Sequence, residues 1–324
     1  MNWKKTLPSP NPWYEYRNGN HIVKLYSDGT KVKETIDPND DHFTYEFPES
    51  FDLKITDYCD AGCAYCHENS TTKGKHADLN KLLPMLDTIK PGVEIAIGGG
   101  DATSHPQINW FICECRKRGI VPNITVNQKH LKKSFEFLNA CMVNNFIGGI
   151  GISLTDSTNS DDFTRIARLG QHVVIHTIAG ILKPEDYKRL FGKKVLILGY
   201  KNIRRGNDNL TKHSDEIKAN IEQLRKDLPM LERKCKLLSF DCLGMEQLHP
   251  KETLGMPDDK FKLIYQGHDY DMFDKDGNIT VSTMFVDAVQ MKVSRSSTSA
   301  MDKRYSFTGN EDVRELLAKS CEGY

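Results

Sequence analysis

The chain has 324 residues, 44 basic and 44 acidic side chains, and 38% hydrophobic against 27% charged residues, which is the balance of a globular protein of one large or two average domains. Zero net charge and a pI near 7.1 argue against a protein built chiefly to grip nucleic acid, though not against a local basic groove, and make a long nucleic-acid substrate less attractive. No apolar run approaches the length of a membrane span, and Met1–Asn20 lacks the apolar stretch of a secretory signal, so the expected location is the cytoplasm.

Along the chain, Asn20 to Lys33 reads as two short strands joined at Ser27-Asp28-Gly29, a turn flanked by alternating apolar residues. A polar loop, Asp37 to Asp41, and Pro48-Glu49-Ser50 complete an N-terminal β appendage, residues 1–50. From Phe51 the rhythm changes. Strands are expected at Phe51–Thr56, Val93–Ile97, Val121–Val126, Gly149–Leu154, Val173–Ile178, Val195–Leu198 and Lys236–Phe240. Between them lie helical patterns at Leu79–Ile89, Ile108–Arg118, Leu131–Cys141, Asp161–Leu169, Pro184–Phe191 and Ser214–Leu228. In the last, Ile217, Ile221, Leu224 and Leu228 recur at the spacings of an amphipathic helix. Alternation of strand and helix implies right-handed βαβ units and a parallel sheet. The fold class is therefore α/β, a partial (β/α)6-type TIM barrel over residues 51–244, with a doubly wound open sheet as the competing architecture. Both place functional residues at the C-terminal ends of strands. After Gly244 the alternation stops. Residues 245–324 read as a C-terminal extension that closes the barrel or its substrate side. It holds a hairpin of Tyr270–Phe273 and Ile279–Thr283, a polar Ser294–Ser299 loop and a terminal helix at Val313–Lys319.

Nine cysteines is an odd number, and in a reducing compartment cysteines serve as ligands or small buried hydrophobes more often than in disulfides. Three of them, Cys59, Cys63 and Cys66, follow the first barrel strand as CxxxCxxC on a glycine-containing loop, so their thiolates can converge on one centre. Soft thiolate ligands suit iron–sulfur clusters and zinc. A zinc site needs a fourth ligand, and His67 is poorly placed for a tetrahedron beside Cys66. Cys63 to His67 also satisfies the C-x-x-C-H attachment pattern of c-type haem, which leaves Cys59 unused. Three ordinary core cysteines are a further reading, although a polar glycine loop is a poor place to bury them.

All three cysteines together, with the aromatic Tyr65 before the last, resemble the radical S-adenosylmethionine (SAM) superfamily over roughly Phe51 to Gly244. The resemblance implies a 4Fe–4S cluster held by Cys59, Cys63 and Cys66, with an open iron chelated by the amino and carboxylate groups of SAM and Tyr65 near the adenine. Gly98-Gly99-Gly100-Asp101, at the end of the second barrel strand, stands where that family has a glycine-glycine-glutamate type turn receiving the methionine amino group. Asp101 in place of glutamate keeps the backbone role and puts a side-chain role in doubt. Glycines at such a strand end also let a ligand approach the backbone closely. The implied chemistry is reductive cleavage of SAM to methionine and a 5′-deoxyadenosyl radical, which abstracts hydrogen from the substrate. A reductant such as flavodoxin or ferredoxin is implied as partner.

Strand ends supply the remaining candidates. Ser153 and Asp156 close the fourth strand, where the family often contacts ribose or methionine. His176 on the fifth strand faces the interior or serves as a core residue. Lys201, Arg204 and Arg205 after the sixth strand bind a carboxylate or phosphate of cofactor or substrate, or form a solvated loop. Asp241 ends the seventh strand and could face substrate, while His67 and Glu68 are placed to order the cysteine loop. Cys113, Cys115, Cys141, Cys235, Cys242 and Cys321 contain no C-x-x-C pair and are expected to be structural. The two flanking regions offer strand edges to an extended peptide, or merely close the barrel ends. The substrate is thus a peptide or protein side chain, with a small metabolite or nucleotide as the enzymatic alternative. A non-catalytic iron–sulfur carrier or sensor is the alternative outside enzymes, against which the glycine turn and barrel pattern count.

Overall fold

The structure, a computed structural model, describes residues 11–40, 42–154, 160–264 and 272–322. Its N-terminal part is a small antiparallel sheet of β1 (Tyr14–Asn18), β2 (His21–Leu25) and β3 (Lys31–Thr35). The expected β2–β3 hairpin is present, and β1 is an added strand. Its aromatic residues precede the region in which alternation was legible.

The large sheet begins with β4 (Ser50–Thr56) and continues through β5 (Glu94–Gly99), β6 (Val121–Asn127), β7 (Gly149–Ser153), β8 (Val173–Ile178), β9 (Lys194–Leu198) and β10 (Leu237–Phe240). These seven strands are parallel and neighbour one another in chain order. Every crossover advances in one direction, so right-handed connections put the helices on one face of the sheet. A doubly wound sheet would instead reverse its strand order at a switch point. The seven strands are at the seven positions expected from the sequence, and their order shows no such reversal.

The C-terminal extension adds strands to this sheet. β11 (Thr283–Asp287) joins the same sheet, parallel to β4 on its far side, and β12 (Lys292–Ser294) and β13 (Tyr305–Ser306) follow antiparallel. The sheet thus has ten strands and is open at β10 and β13. The anticipated hairpin is reduced to a bridge between Phe273 and Ile279, and Tyr270 and Asp271 lie outside the described residues.

Helices fill the connections: α1 (Leu83–Leu86), α2 (Ile108–Lys117), α3 (Gln128–Val143), α4 (Ser160–Arg168), α5 (Arg205–Lys234), α6 (Cys242–Leu248), α7 (Pro250–Thr253), α8 (Asp258–Ile264) and α9 (Val313–Cys321). The boundary placed after Gly244 falls inside α6. Leu79–Ile89 forms a 3-10 turn and the single turn α1 rather than one helix, because Pro84 has no N–H to carry the ladder through. Pro184–Leu190 is likewise 3-10. Among the described residues no helix is long and apolar enough to cross a membrane.

Period-two alternation gives the sheet two unlike faces. Phe51, Leu53, Ile55, Ile95, Ile97, Ile124, Ile150, Ile152, Ile175, Val195 and Ile197 are buried in the main core. The opposite face carries Asp52, Lys54, Ala96, Gly98, Asn123, Thr125, Gly151, Ser153 and His176. The small sheet lies across the N-terminal ends of these strands. Lys31 meets Glu94 at 2.8 Å, His21 meets Glu49 at 2.6 Å, and Lys194 donates to the Asp28 carbonyl at 3.4 Å. The C-terminal strand ends, where the cysteine loop emerges, are left free of it.

Candidate functional site

The cysteine loop leaves β4 and is pinned at its base by backbone pairing. The Cys59 N–H donates to Thr71 O at 3.0 Å and the Thr71 N–H to Asp57 O at 3.1 Å. Between these anchors the Cys66 N–H reaches back to Cys63 O, closing a tight turn. All three cysteines are half-buried free thiols. Desolvation raises the proton affinity of Cys59; the Ala61 N–H opposes this, and neighbouring Cys63, Cys66 and Asp101 reinforce it. Three sulfurs on a short, half-exposed loop, with Cys59 disfavoured as a thiolate by burial and by its two neighbours, are a donor set suited to an iron–sulfide cation. These residues therefore fit a cluster. Tyr65 is half-buried in the same loop, its carbonyl beside Gly206 at the start of α5.

The glycine turn abuts this loop directly. The Gly100 N–H donates to Thr56 O and the Asp101 N–H to Tyr58 O, both at 2.7 Å. A Cβ on Gly100 would stand 2.1 Å from Tyr58 O, and one on Gly99, whose φ is +110°, 2.5 Å from Thr56 O. At these two positions glycine admits another stretch of backbone. Gly98 is the open one, where an added Cβ meets nothing within 4 Å. Asp101 is buried and turned to structure: it caps the turn at Thr103, pairs with Lys133 at 2.8 Å and faces His130 at 3.5 Å.

The start of α3 grips the loop from one side. Asn127, its N-cap, donates to Cys63 Sγ at 3.5 Å, Lys129 reaches Ala61 O at 3.2 Å, and His130 meets Asp60 at 2.6 Å. The other side is held by the segment after β9. Arg204 donates to His67 O at 2.9 Å and pairs with Glu68 at 3.3 Å, Arg205 reaches Ser70 O at 2.6 Å, and Lys201 contacts His67 at 3.3 Å. These cations thus engage the loop that follows the cysteines, where the sequence reading had them bind a ligand anion or form a solvated loop. Lys201 also donates to Ser297 Oγ at 2.9 Å, so the polar Ser294–Ser299 loop of the extension crosses towards β9.

Lys54, overlooked in the sequence, is the centre of this arrangement. Only 2% exposed, its ammonium meets Asp57 at 2.6 Å, Glu68 at 2.7 Å and Asp287 on β11 at 3.3 Å. Burial opposes the charge of Glu68, but His67 and Lys54 overcome it and hold the carboxyl well below the ordinary carboxylate range. Beside this group opens a polar cavity of about 390 Å³, lined among others by Asn69, Arg204 and Gln290. The sequence signal was a lysine and an aspartate alternating with Phe51, Leu53 and Ile55 in a strand otherwise destined for the core.

Ser153 and His176 are register partners on β7 and β8. The imidazole lies over Gly151, where an added Cβ would come within 2.3 Å of Cε1. Asp241 accepts from the Gly199 and Gly244 N–H groups at 2.8 and 2.6 Å, so it caps α6 and ties it to β9. Asp156 lies outside the described residues. Of the remaining cysteines, Cys115, Cys141, Cys235 and Cys321 are buried, Cys113 is half-buried and Cys242 is exposed.

Burial lowers the pKa of His176 from 6.5 to about 4. The unfolded ring takes up a proton at higher pH than the folded ring, so the unfolded chain binds more protons in that window and stability falls as pH drops through it. Between about pH 7 and about pH 5 the native protein should lose about 1–2 kcal/mol more than His176→Gln, a figure discounted for the partial exposure of the ring. His67, His105 and His172 shift the same way but are common to both proteins. Urea unfolding at the two pH values measures the difference, and equal losses would show that His176 takes up its proton without hindrance.

No protein-family model matches the chain, and no curated protein sequence matches it. Solved structures do. SuiB of Streptococcus suis bound to precursor peptide SuiA is 14% identical, with a TM-score of 0.57 over 86% of this chain and 67% of that one. SuiB bound to S-adenosylmethionine is 14% identical, with a TM-score of 0.50 over 85% of this chain and 66% of that one. The chain spans about two thirds of the length of these structures. What it shares with them is the fold, a mixed α/β architecture on a large parallel sheet.

Proposed function

We propose that the chain is a radical SAM enzyme acting on a peptide or protein side chain. The observation that carries the reading is the presence of three half-buried thiols on one loop leaving the C-terminal end of β4, whose backbone pairs with the glycine turn that ends β5. Cys59, Cys63 and Cys66 would hold a 4Fe–4S cluster, which when bound would supply the electron for reductive cleavage of SAM and so for hydrogen abstraction from the substrate.

The chain's own residues bind, orient and exclude water. The backbone at Gly98, the one glycine of its turn with open space before it, receives the methionine end of SAM, and Tyr65 lies beside the adenine. Ser153 and His176 face the hollow from β7 and β8, and the neutral imidazole donates or accepts one hydrogen bond without adding charge. Lys201, Arg204 and Arg205 hold the loop that carries the thiolates. The small sheet of β1 to β3 stops the N-terminal end of the barrel region, and β11 and the serine loop of the extension cover its flank. A small reducing protein of the flavodoxin or ferredoxin type delivers the electron. The peptide rather than small-molecule reading is supported by the likeness in fold to SuiB, which was bound to a precursor peptide.

The test is anaerobic loading with iron and sulfide, reduction in the presence of SAM, and measurement of 5′-deoxyadenosine. Its formation is expected. A fully loaded, reducible protein that forms none is a carrier or sensor instead.

A further inference from the structure

Asp52 is an acidic side chain in the hollow that nothing holds. It stands on β4 between the buried Phe51 and Leu53, and its side chain points to the polar face. It is exposed to solvent although its strand lies well inside a ten-stranded sheet, so the polar face of the sheet is open in front of it. Its partner across β5 is Ala96, and the next residue of that face is Gly98, before which space is empty. On its β5 side the sheet therefore carries only Ala96 and Gly98 beside the carboxylate, leaving room for a ligand there, while Phe285 of β11 flanks Asp52 on the other side.

The carboxylates around it are engaged. Lys54 and Arg204 take Glu68, Lys54 takes Asp287, and two backbone N–H groups take Asp241. Among the described residues Asp52 has no hydrogen bond and no ion pair within contact distance. Burial disfavours its charge; Lys201 opposes that effect at a distance, and Asp241 and Glu68 add to it. Lys201 is itself committed to Ser297 and His67. A cationic ligand group is what this environment lacks.

We propose that Asp52 is a specificity-determining residue of the hollow, its carboxylate binding the positively charged side chain of a lysine or arginine in a peptide substrate. The inference rests on the peptide reading above and names the side chain that this reading leaves open. A carboxylate in a partly desolvated hollow gains a charge-assisted hydrogen bond from an ammonium or guanidinium group. A neutral side chain would leave the charge uncompensated, and an anionic one would be repelled.

The experiment uses cluster-loaded protein with SAM and four acetylated, amidated tripeptides, Gly-Xaa-Gly, in which Xaa is lysine, arginine, glutamine or norleucine. Calorimetric titration should show the two cationic peptides binding about tenfold or more tightly than the two neutral ones. Asp52→Asn should reduce that preference to about twofold, and Asp52→Glu, which keeps the charge, should retain most of it. Equal binding of lysine and norleucine peptides overturns the proposal, as does failure of the cationic peptides to bind, or a preference that survives Asp52→Asn in protein with a native melting curve. Binding is read without turnover. A protein that prefers cationic peptides but forms no 5′-deoxyadenosine would sink the enzyme reading and leave this one standing.

Discussion

Alanine in place of Cys59, Cys63 or Cys66 should abolish both bound iron–sulfide and formation of 5′-deoxyadenosine, lowering the latter about a thousandfold or more, as expected for groups that act only as a unit. The three sulfurs sit on one short loop, and Cys63 and Cys66 add to the burial that raises the proton affinity of Cys59, so a cation bound there would relieve that cost. Removing one ligand of three leaves too few for a cluster that already keeps one iron open. The neighbouring geometry predicts a graded second tier. Asn127→Ala removes the amide beside Cys63 Sγ and should weaken cluster retention about 10–100-fold, the usual effect of losing a group that orients a ligand. Iron and sulfide analysis after gel filtration reads both tiers, and alanine at the buried Cys115 or Cys235 serves as the control that should keep full iron content. Zinc in place of iron would support the single-ion reading. Dependence on Cys63 and Cys66 but not Cys59 would restore the haem-attachment reading.

The parallel strands were legible because each carries a strict two-residue alternation whose apolar half lies under helices. Ile95 and Ile97, or Ile150 and Ile152, declare their strands without knowledge of neighbours. Thr283–Asp287 was not legible as part of the main sheet because its sequence, TMFVD, is nearly continuous in apolar residues and names no partner. Its place beside β4 is a long-range pairing, fixed by Asp287 reaching Lys54 as much as by its ladder. Spacing also identified the thiols and the glycine turn, since both are local. The reading of that turn changes in detail, because Gly99 and Gly100 are glycine to let the Thr56–Tyr58 backbone pass. Lys201, Arg204 and Arg205 were visible as cations, but their anions and carbonyls lie more than 130 residues earlier in the chain. No local pattern links such partners. Lys54 and Asp52 were passed over because β4 was read for its apolar positions, and the polar half of the same alternation lines the hollow.

Lys54→Met should be the most damaging single change away from the cysteines, costing about 3–5 kcal/mol, the range for breaking a buried ion pair from one side. Methionine fills nearly the same volume, so the cost arises from charge. Without the ammonium, Glu68 and Asp287, both almost fully buried, lose their shared cation, and Asp57 loses a 2.6 Å contact. Arg204 stands 3.3 Å from Glu68 and offsets part of the loss there; among the described residues no second cation pairs with Asp287, whose other oxygen caps the Val289 and Gln290 N–H groups. The effect should depend on pH in a stated direction. Glu68 is held far below its ordinary value of 4.5, so its contribution is complete above that value and is lost as pH falls below it. Removing Lys54 raises the carboxyl back towards that value, so the variant should begin acid unfolding at higher pH than the native protein. Adding Asp287→Asn and Glu68→Gln to Lys54→Met removes the orphaned charges and should recover a large part of the loss, because neutral groups of the same shape leave less to compensate. Urea unfolding of the single and triple variants at neutral pH, with iron content measured alongside, decides the point. A single variant as stable as the native chain would mean that water, not Lys54, neutralises these carboxylates, and that the loop after Cys66 is held by Arg204 and Arg205 alone.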